Sequence, residues 1–476
     1  MTAPAPDSAP AAPVPPSNKT ALFVVFFVVF IDLLGFGIVL PLMPRLAVEY
    51  MSGFTREQIG LTVGLLYSSF SLMQFVFSPM WGRWSDRVGR RPVIIISLAG
   101  SVVCYALFGF ACTLPSSSAT LALVLLFVSR TLAGIAGASV STATAVIADS
   151  TAPEKRAHGM ALIGAAFGIG FTFGPLIAYA GLVGLPSESH TVWESPSEPL
   201  FDYGPDNHPA DAVAVIKERV RREYLWVPGG IASALSLVAL LIAVRKLPET
   251  LKPGNVATSH GRRGFSISRA TEVIRMPAVG PLILIYFLAI FAFANFEATL
   301  ALYTEEVLHF DDKANFLVFA GVGLVLMVAQ GGVYRRYAKT VPEVRLASVG
   351  LVFMFVGLGG LAAIAFIAYQ AGLTGGYTGL FYLTTAVAVF GFAFVNPSVT
   401  ALVSRNADPS RQGEILGVNQ SFAALGRIFG PLCGAFVFYQ HASHSLPFLV
   451  AGGVLVLVVF LLVGYSKNKP AEPPAS

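Results

Sequence analysis

The sequence predicts an all-α membrane protein, with twelve transmembrane helices arranged as two six-helix halves that repeat in parallel. Three observations carry this prediction. Of 476 residues, 55% are hydrophobic and only 12% are charged, where a soluble domain carries about 25% charged residues. Mean hydropathy is +0.71, more apolar surface than a water-soluble core can hide and what a bilayer accepts. The second half also repeats landmarks of the first at a fixed offset.

The spans follow from the need for about 20 apolar residues to cross roughly 30 Å of hydrocarbon. They read at 21–42, 59–81, 92–113, 119–148, 158–184 and 226–244, then at 278–303, 315–335, 345–369, 377–404, 413–438 and 445–465. An even number of spans puts both termini on one side. The connections after even-numbered spans hold most of the loop arginines and lysines, among them Arg83, Arg87, Arg90, Arg91, Arg245, Lys246, Arg262, Arg263, Arg335, Arg336 and Lys339. The opposite connections hold Arg45, Arg56, Lys217, Arg219, Arg221, Arg222 and Lys313. By the positive-inside rule both termini are expected in the cytoplasm of a multi-pass cell (inner) membrane protein.

The domain boundaries follow. Residues 1–18, rich in Pro and Ala and without a basic start, read as a disordered cytoplasmic tail rather than a signal peptide. Residues 19–244 form the first half, 245–276 a polar, basic cytoplasmic linker, 277–466 the second half, and 467–476 a second tail. Segment 185–225 is an acidic extracytoplasmic insertion whose end, with Val213, Ile216, Val220 and Tyr224 at helical spacing, is expected to extend the sixth helix. Cys104, Cys112 and Cys433 lie in apolar runs without metal or disulfide spacing. His441 and His444 stand near each other in an outer connection, and two residues do not make a metal site.

The repeat is read at an offset of 256 residues, which pairs Pro153 with Pro409, Gly170 with Gly426, Phe173 with Phe429, Gly174 with Gly430, Pro175 with Pro431 and Leu176 with Leu432. The fifth span therefore corresponds to the eleventh and points the same way. Parallel repeats of this kind build transporters with a substrate site near the midplane between halves.

The turn after the second span runs Gly82-Arg83-Trp84-Ser85-Asp86-Arg87-Val88-Gly89-Arg90-Arg91-Pro92. Its glycines permit a tight turn, and Asp86 among four arginines can stay ionised and paired. Gly-xxx-Asp-Arg-x-Gly-Arg-Arg resembles the signature loop of the major facilitator superfamily. The equivalent turn from Gly332 to Pro342 keeps Arg335, Arg336 and Lys339 but lacks the acid. Asp32-Leu-Leu-Gly-Phe-Gly-Ile-Val-Leu-Pro-Leu-Met-Pro44 resembles the first-helix motif of drug:proton antiporters. Asp149, at the end of the fourth span, and the stretch Gly168-Ile-Gly170-Phe-Thr-Phe-Gly174-Pro175 resemble antiporter motifs closest in pattern to tetracycline and multidrug exporters. Departures are Ala178 and Tyr179 where a glycine pair is usual, and Ala133 where Gln is usual near Arg130.

The resemblance implies the major facilitator fold and a secondary active transporter that exports small amphiphilic compounds, of drug or tetracycline type, against protons by alternating access. Its implied partners are a small-molecule substrate, protons and the lipid bilayer, with no nucleic acid and no cofactor, in a protein that works as a monomer. A proton-coupled symporter or facilitator on the same scaffold is the alternative, and a transport-inactive receptor or scaffold a distant third. No phosphate-binding loop, nucleophile elbow or zinc-protease motif is present, so no enzyme, no catalytic residue and no metal ligand is expected.

Charges inside a bilayer cost about 2.5–3.5 kcal/mol each on insertion scales, so each one marks a candidate. Asp32 in span one and Glu297 in span seven occupy corresponding helices of the two halves and suit reversible proton binding. Arg130 joins them through the role the resemblance gives it, with a counter-ion expected from another span. Arg427 fits either proton chemistry or helix packing. Gly82, Asp86, Arg87, Gly89, Arg90, Arg91 and Asp149 form the expected gating motif, with Asp149 pairing toward Arg90, and Gly170, Gly174 and Pro175 the antiporter motif. Phe36, Gln74, Asn295, Asn396, Asn419 and Gln420 are the candidates for the substrate cavity, against plain interhelical hydrogen bonding.

Overall fold

The computed structural model describes residues 19–51, 54–150, 156–194, 213–250, 267–308, 310–371, 377–407 and 412–468. Among these, eleven helical stretches are long and apolar enough to cross a membrane. The helix Arg156–Leu182 holds the fifth place and has its apolar part at Ile169–Leu182. The order is that of two six-helix halves. Residues 1–18, 195–212, 251–266 and 469–476 lie outside the described residues, and with them the first tail, most of the second, and part of the insertion and of the linker.

Proline shapes the first span. Its helix Lys19–Val39 tightens into a 3-10 turn at Leu40–Leu42 and resumes at Met43–Tyr50. Pro41 and Pro44 lack the N–H that an uninterrupted helix would use there. The second span is longer than its apolar core predicts, Arg56–Val88, because Thr55 and Gln58 form a reciprocal cap at its start. The fourth span is not one helix: it divides into Ala119–Gly137 and Val140–Ser150. The eighth span, Asp312–Val328, ends in a π-helical turn at Ala329–Tyr334.

The fold departs from all-α in one place. Ser187–Glu194 and Val213–Val220 pair as an antiparallel hairpin, with Ser187 opposite Val220 at its base. The expected outward extension of the sixth helix is therefore wrong, and that helix begins at Val227. Val213, Val215, Ile216 and Val220 are β-branched, and such residues prefer a pleated ribbon. This hairpin marks one face of the molecule, called here the hairpin side; the arginine-rich turns mark the other, the basic side.

Within each half the same helix pair packs closest. A Cβ at Gly174 would come within 2.7 Å of the Leu34 carbonyl, and one at Gly430 within 2.7 Å of the Phe291 carbonyl. Glycine is what lets the fifth span lie on the first and the eleventh on the seventh. Between halves, the second span packs on the eleventh and the fifth on the eighth. The repeat carries two onto eight and five onto eleven, so these are one contact used twice. Gly60 faces Ala435 and Tyr439, Gly64 faces Pro431 and Leu432, and Ser68 Oγ donates to the Ile428 carbonyl at 2.6 Å. The described polar contacts between halves lie from the middle of the molecule toward the hairpin side, so that side is closed.

Candidate functional site

The helix Ala119–Gly137 carries Arg130 into the interior, where it is 1% exposed. Its guanidinium carbon sits 4.8 Å from the centroid of the Phe70 ring and 5.2 Å from that of Phe36. The two rings are themselves 4.9 Å apart, one from the second span and one from the first. A desolvated cation–π contact contributes about 2 kcal/mol, the same order as the insertion penalty of the charge. The aromatic clamp thus offsets much of that penalty. Arg130 Nε and Nη1 find no hydrogen-bond partner among the described residues. Position 32 lies one helical turn before Phe36 on the first span; the side chains of Asp32 and Asp149 lie outside the described residues.

Tyr67, one turn before Ser71 in the second span, donates its hydroxyl to the Leu40 carbonyl at 2.9 Å. It is near enough to interact electrostatically with Arg130 on one side and Glu297 on the other. Glu297, half-buried in the helix Gly280–Glu306, interacts in turn with Arg427 of the eleventh span. Arg427 interacts with Tyr286, whose hydroxyl donates to Asn396 Oδ1 at 2.8 Å. Arg130, Tyr67, Glu297 and Arg427 therefore form a polar series that runs from one half into the other at mid-depth. Gln420 is exposed although it lies within a span, as a cavity-facing residue would be.

The other cavity candidates divide. Gln74 Nε2 donates to the Gly137 carbonyl at 3.3 Å and so ties the second span to the fourth. Asn295 and Asn419 are fully buried, and their amide atoms have no hydrogen-bond partner among the described residues. Asn295 Oδ1 lies against Gly434, inside the packing of the seventh span on the eleventh. These two asparagines belong to helix interfaces in this arrangement rather than to an open cavity.

On the basic side, the second span ends at Gly89, whose φ of +105° an L side chain rarely adopts. Asp86 Oδ1 meets Arg90 Nη1 at 2.5 Å, and the same guanidinium donates to Ser85 Oγ at 2.7 Å. Glu249, just past the sixth span, accepts from the backbone N–H of Arg90 at 2.9 Å and of Arg91 at 3.2 Å. A carboxylate there satisfies orphan donors at the start of the third span and complements its dipole. A Cβ at Gly89 would collide with the Glu249 carboxylate, which explains the glycine. Arg91 donates to the Val244 carbonyl at 2.6 Å, Arg87 is exposed, and Gly82, half-buried, faces Ser141 of the fourth span. Gly170 and Pro175 of the antiporter motif pack on Leu33 and Gly37 of the first span.

Sequence reasoning missed Tyr67, Tyr286 and Glu249. A tyrosine in an apolar run reads as core, and Glu249 sits in the sequence among basic residues, far from the turn it completes. Among the described residues no cluster able to hold a metal ion occurs, and all three cysteines are free thiols.

The family profile described as Major Facilitator Superfamily matches residues 25–427 and 349–476. Curated relatives include the mouse "Major facilitator superfamily domain-containing protein 10", 29% identical over 97% of this chain and 96% of its own. The Escherichia coli "Tetracycline resistance protein, class E" is 27% identical over 96% of this chain and 97% of its own. The Bacillus subtilis (strain 168) "Multidrug resistance protein 1" is 26% identical over 94% and 96%. Among solved structures, the human organic anion transporter MFSD10 (TETRAN) superposes with a TM-score of 0.61 at 25% identity, covering 94% of this chain and 100% of that one. A D-xylose-proton symporter gives 0.68 at 14% identity over 94% and 97%, a likeness of fold.

Proposed function

The chain belongs to the major facilitator superfamily, and from that premise we propose that it is a proton-coupled exporter of small amphiphilic compounds working by alternating access. The observation that carries the reading is the polar series Arg130, Tyr67, Glu297 and Arg427, which puts ionisable groups of both halves within electrostatic reach of one another inside the spans. A series confined to one half would be expected of helix packing. One that spans both is where a rocking motion changes the surroundings of every member. Asp32, in the first span one turn from Phe36, is assigned as the carboxyl that exchanges a proton beside Arg130, and Glu297 as its counterpart in the second half.

The basic side is assigned to the cytoplasm by its arginines, which makes the hairpin side extracytoplasmic and the present arrangement closed to the outside. Export as the direction draws on the tetracycline and multidrug resistance relatives.

A second reading, transport of an organic anion, is favoured by one observation. Arg130 keeps two nitrogens without partners among the described residues, and Arg427 adds a second interior cation. An anionic substrate would complete both, as the name of the human structural relative describes for that protein.

Reconstitution into proteoliposomes separates the readings. Efflux of tetracycline or ethidium should move protons the opposite way, and Asp32→Asn should abolish that coupling. Efflux indifferent to a pH gradient would sink the antiport reading. Proton movement in the substrate's own direction would favour the symporter, and uptake of an organic anion such as fluorescein with no response to ethidium would favour the second reading.

A further inference from the structure

The first span ends on the hairpin side with Arg45, and the eighth begins there with Asp312. They belong to different halves, 267 residues apart, yet Arg45 Nη1 forms an ion pair with Asp312 Oδ2, and their side chains are only 5% and 4% exposed. Burying two charges is costly unless further hydrogen bonds complete them. Here one residue of the outer hairpin adds a bond to each of them. The backbone N–H of Val220 donates to Asp312 Oδ2 at 2.9 Å, and Arg45 Nη2 donates to the Val220 carbonyl at 2.8 Å.

Val220 is the last residue of the second strand, opposite Ser187, so the hairpin delivers its base into the ion pair. The segment that follows anchors it to the first half. Arg222 Nη1 meets Glu49 at 3.4 Å and Ser116 Oγ at 2.5 Å, Arg222 Nη2 donates to the Leu114 carbonyl, and the guanidinium lies 5.0 Å from the Tyr50 ring centroid. Arg45, Glu49, Tyr50, Leu114 and Ser116 all belong to the first half. Asp312 alone belongs to the second. When the halves part on this side, Val220 stays with Arg45 and Asp312 leaves both.

We propose that Arg45 and Asp312 form the outer gate of this transporter and that the hairpin, through the backbone of Val220, is its latch. The hairpin then biases the equilibrium toward the outward-closed form, because opening separates Asp312 from both the Arg45 guanidinium and the Val220 N–H. The proposal rests on the alternating-access reading but on neither proton coupling nor the identity of the cargo.

The test uses the full chain in right-side-out vesicles, with Cys104, Cys112 and Cys433 replaced by alanine and Ser68→Cys as reporter. Ser68 is buried between the second and eleventh spans, so a membrane-impermeant maleimide outside should label it only when the outer side opens. Asp312→Asn and Arg45→Gln should raise the labelling rate by about tenfold or more, the fold-change of a 1.4 kcal/mol shift. Val220→Pro removes the latch's N–H and should raise it several-fold; the exchange Arg45→Asp with Asp312→Arg should bring it back toward the starting rate. Fast labelling of the unaltered gate, or equal rates in all variants, overturns the gate. A raised rate in Asp312→Asn with none in Val220→Pro overturns the latch. Should the single variants fail to insert, Arg45→Cys with Asp312→Cys in the same background decides instead. Oxidative cross-linking should abolish labelling of the reporter and reductant should restore it; labelling that persists through the cross-link overturns the gate. None of these outcomes depends on whether protons are moved.

Discussion

The two halves are built on one plan and differ most where charge is handled. In the first half the turn after the second span is neutralised from within: Asp86 takes the Arg90 guanidinium and Glu249 takes the backbone of Arg90 and Arg91. The corresponding turn of the second half follows a π-helical end and presents Arg335, Arg336 and Lys339 on the surface, with no acid among its own residues. In the interior the asymmetry reverses. Arg130 of the first half is held by two aromatic rings, whereas Arg427 of the second faces Glu297. Duplication explains the scaffold; the differences lie in how each half holds its charges, by local pairing in one turn and by aromatic rings or a carboxylate in the interior.

The largest expected effect falls on the interior pair of arginines. Arg130→Ala should reduce proton-coupled efflux in proteoliposomes by about a hundredfold, equivalent to roughly 2.7 kcal/mol at 1.36 kcal/mol per factor of ten. Arg130→Lys should recover only part of it, because an ammonium cannot stack between two rings as a planar guanidinium does. Arg427→Gln should lose less, since Glu297 can then be carried neutral. Equal losses at the two positions would break the comparison, and a larger loss at Arg427 would reverse it.

Most of the scaffold was legible because bilayer chemistry leaves the sequence little choice. Spans show as apolar runs, and the parallel repeat shows as landmarks at a fixed offset. The near-contacts at Gly174 and Gly430 were visible as repeated Gly-Pro pairs, since only glycine admits a backbone so close. The hairpin was not legible as such. Val213, Ile216 and Val220 fit a helical spacing, while the partner strand Ser187–Glu194 lies about 20 residues earlier in a polar segment. Arg130 and Glu297 stood out as charges in apolar runs, but Tyr67 between them did not, because a tyrosine there is normally core. Glu249 was hidden by distance along the chain: its partners lie 158 and 159 residues away, and no local pattern encodes such a pairing.

The turn offers the next effect. Glu249→Gln keeps the shape but replaces charge-assisted bonds with neutral ones, roughly half as strong. It also weakens the complement to the third span's dipole. Asp86→Asn takes the Asp86 carboxylate away from Arg90, which is buried at 5% exposure. Asp86 is itself 29% exposed, so solvent screening holds the loss to about 1 kcal/mol. Each substitution should slow efflux about three- to tenfold and lower the thermal midpoint of the purified protein by a few degrees. Lys339→Gln in the second-half turn should leave both readouts within error. A clear loss there would show that the exposed basic turn is as engaged as the first.

The smallest and most diagnostic change is Tyr67→Phe. It removes one hydroxyl that lies within electrostatic reach of both Arg130 and Glu297, and leaves the ring in place. The Leu40 carbonyl then loses a 2.9 Å bond, a net loss of about 0.5–1.5 kcal/mol, while the packing of the ring is kept. Folding should therefore be nearly unchanged. If Tyr67 links Arg130 to Glu297 in proton movement, efflux with a pH gradient should fall three- to tenfold, while counterflow exchange of ethidium without a gradient keeps its rate. If Tyr67 only packs the second span against the first, both rates should fall together. The split between gradient-driven and exchange rates thus decides whether the polar series is one path across the halves or two separate sites that happen to face each other.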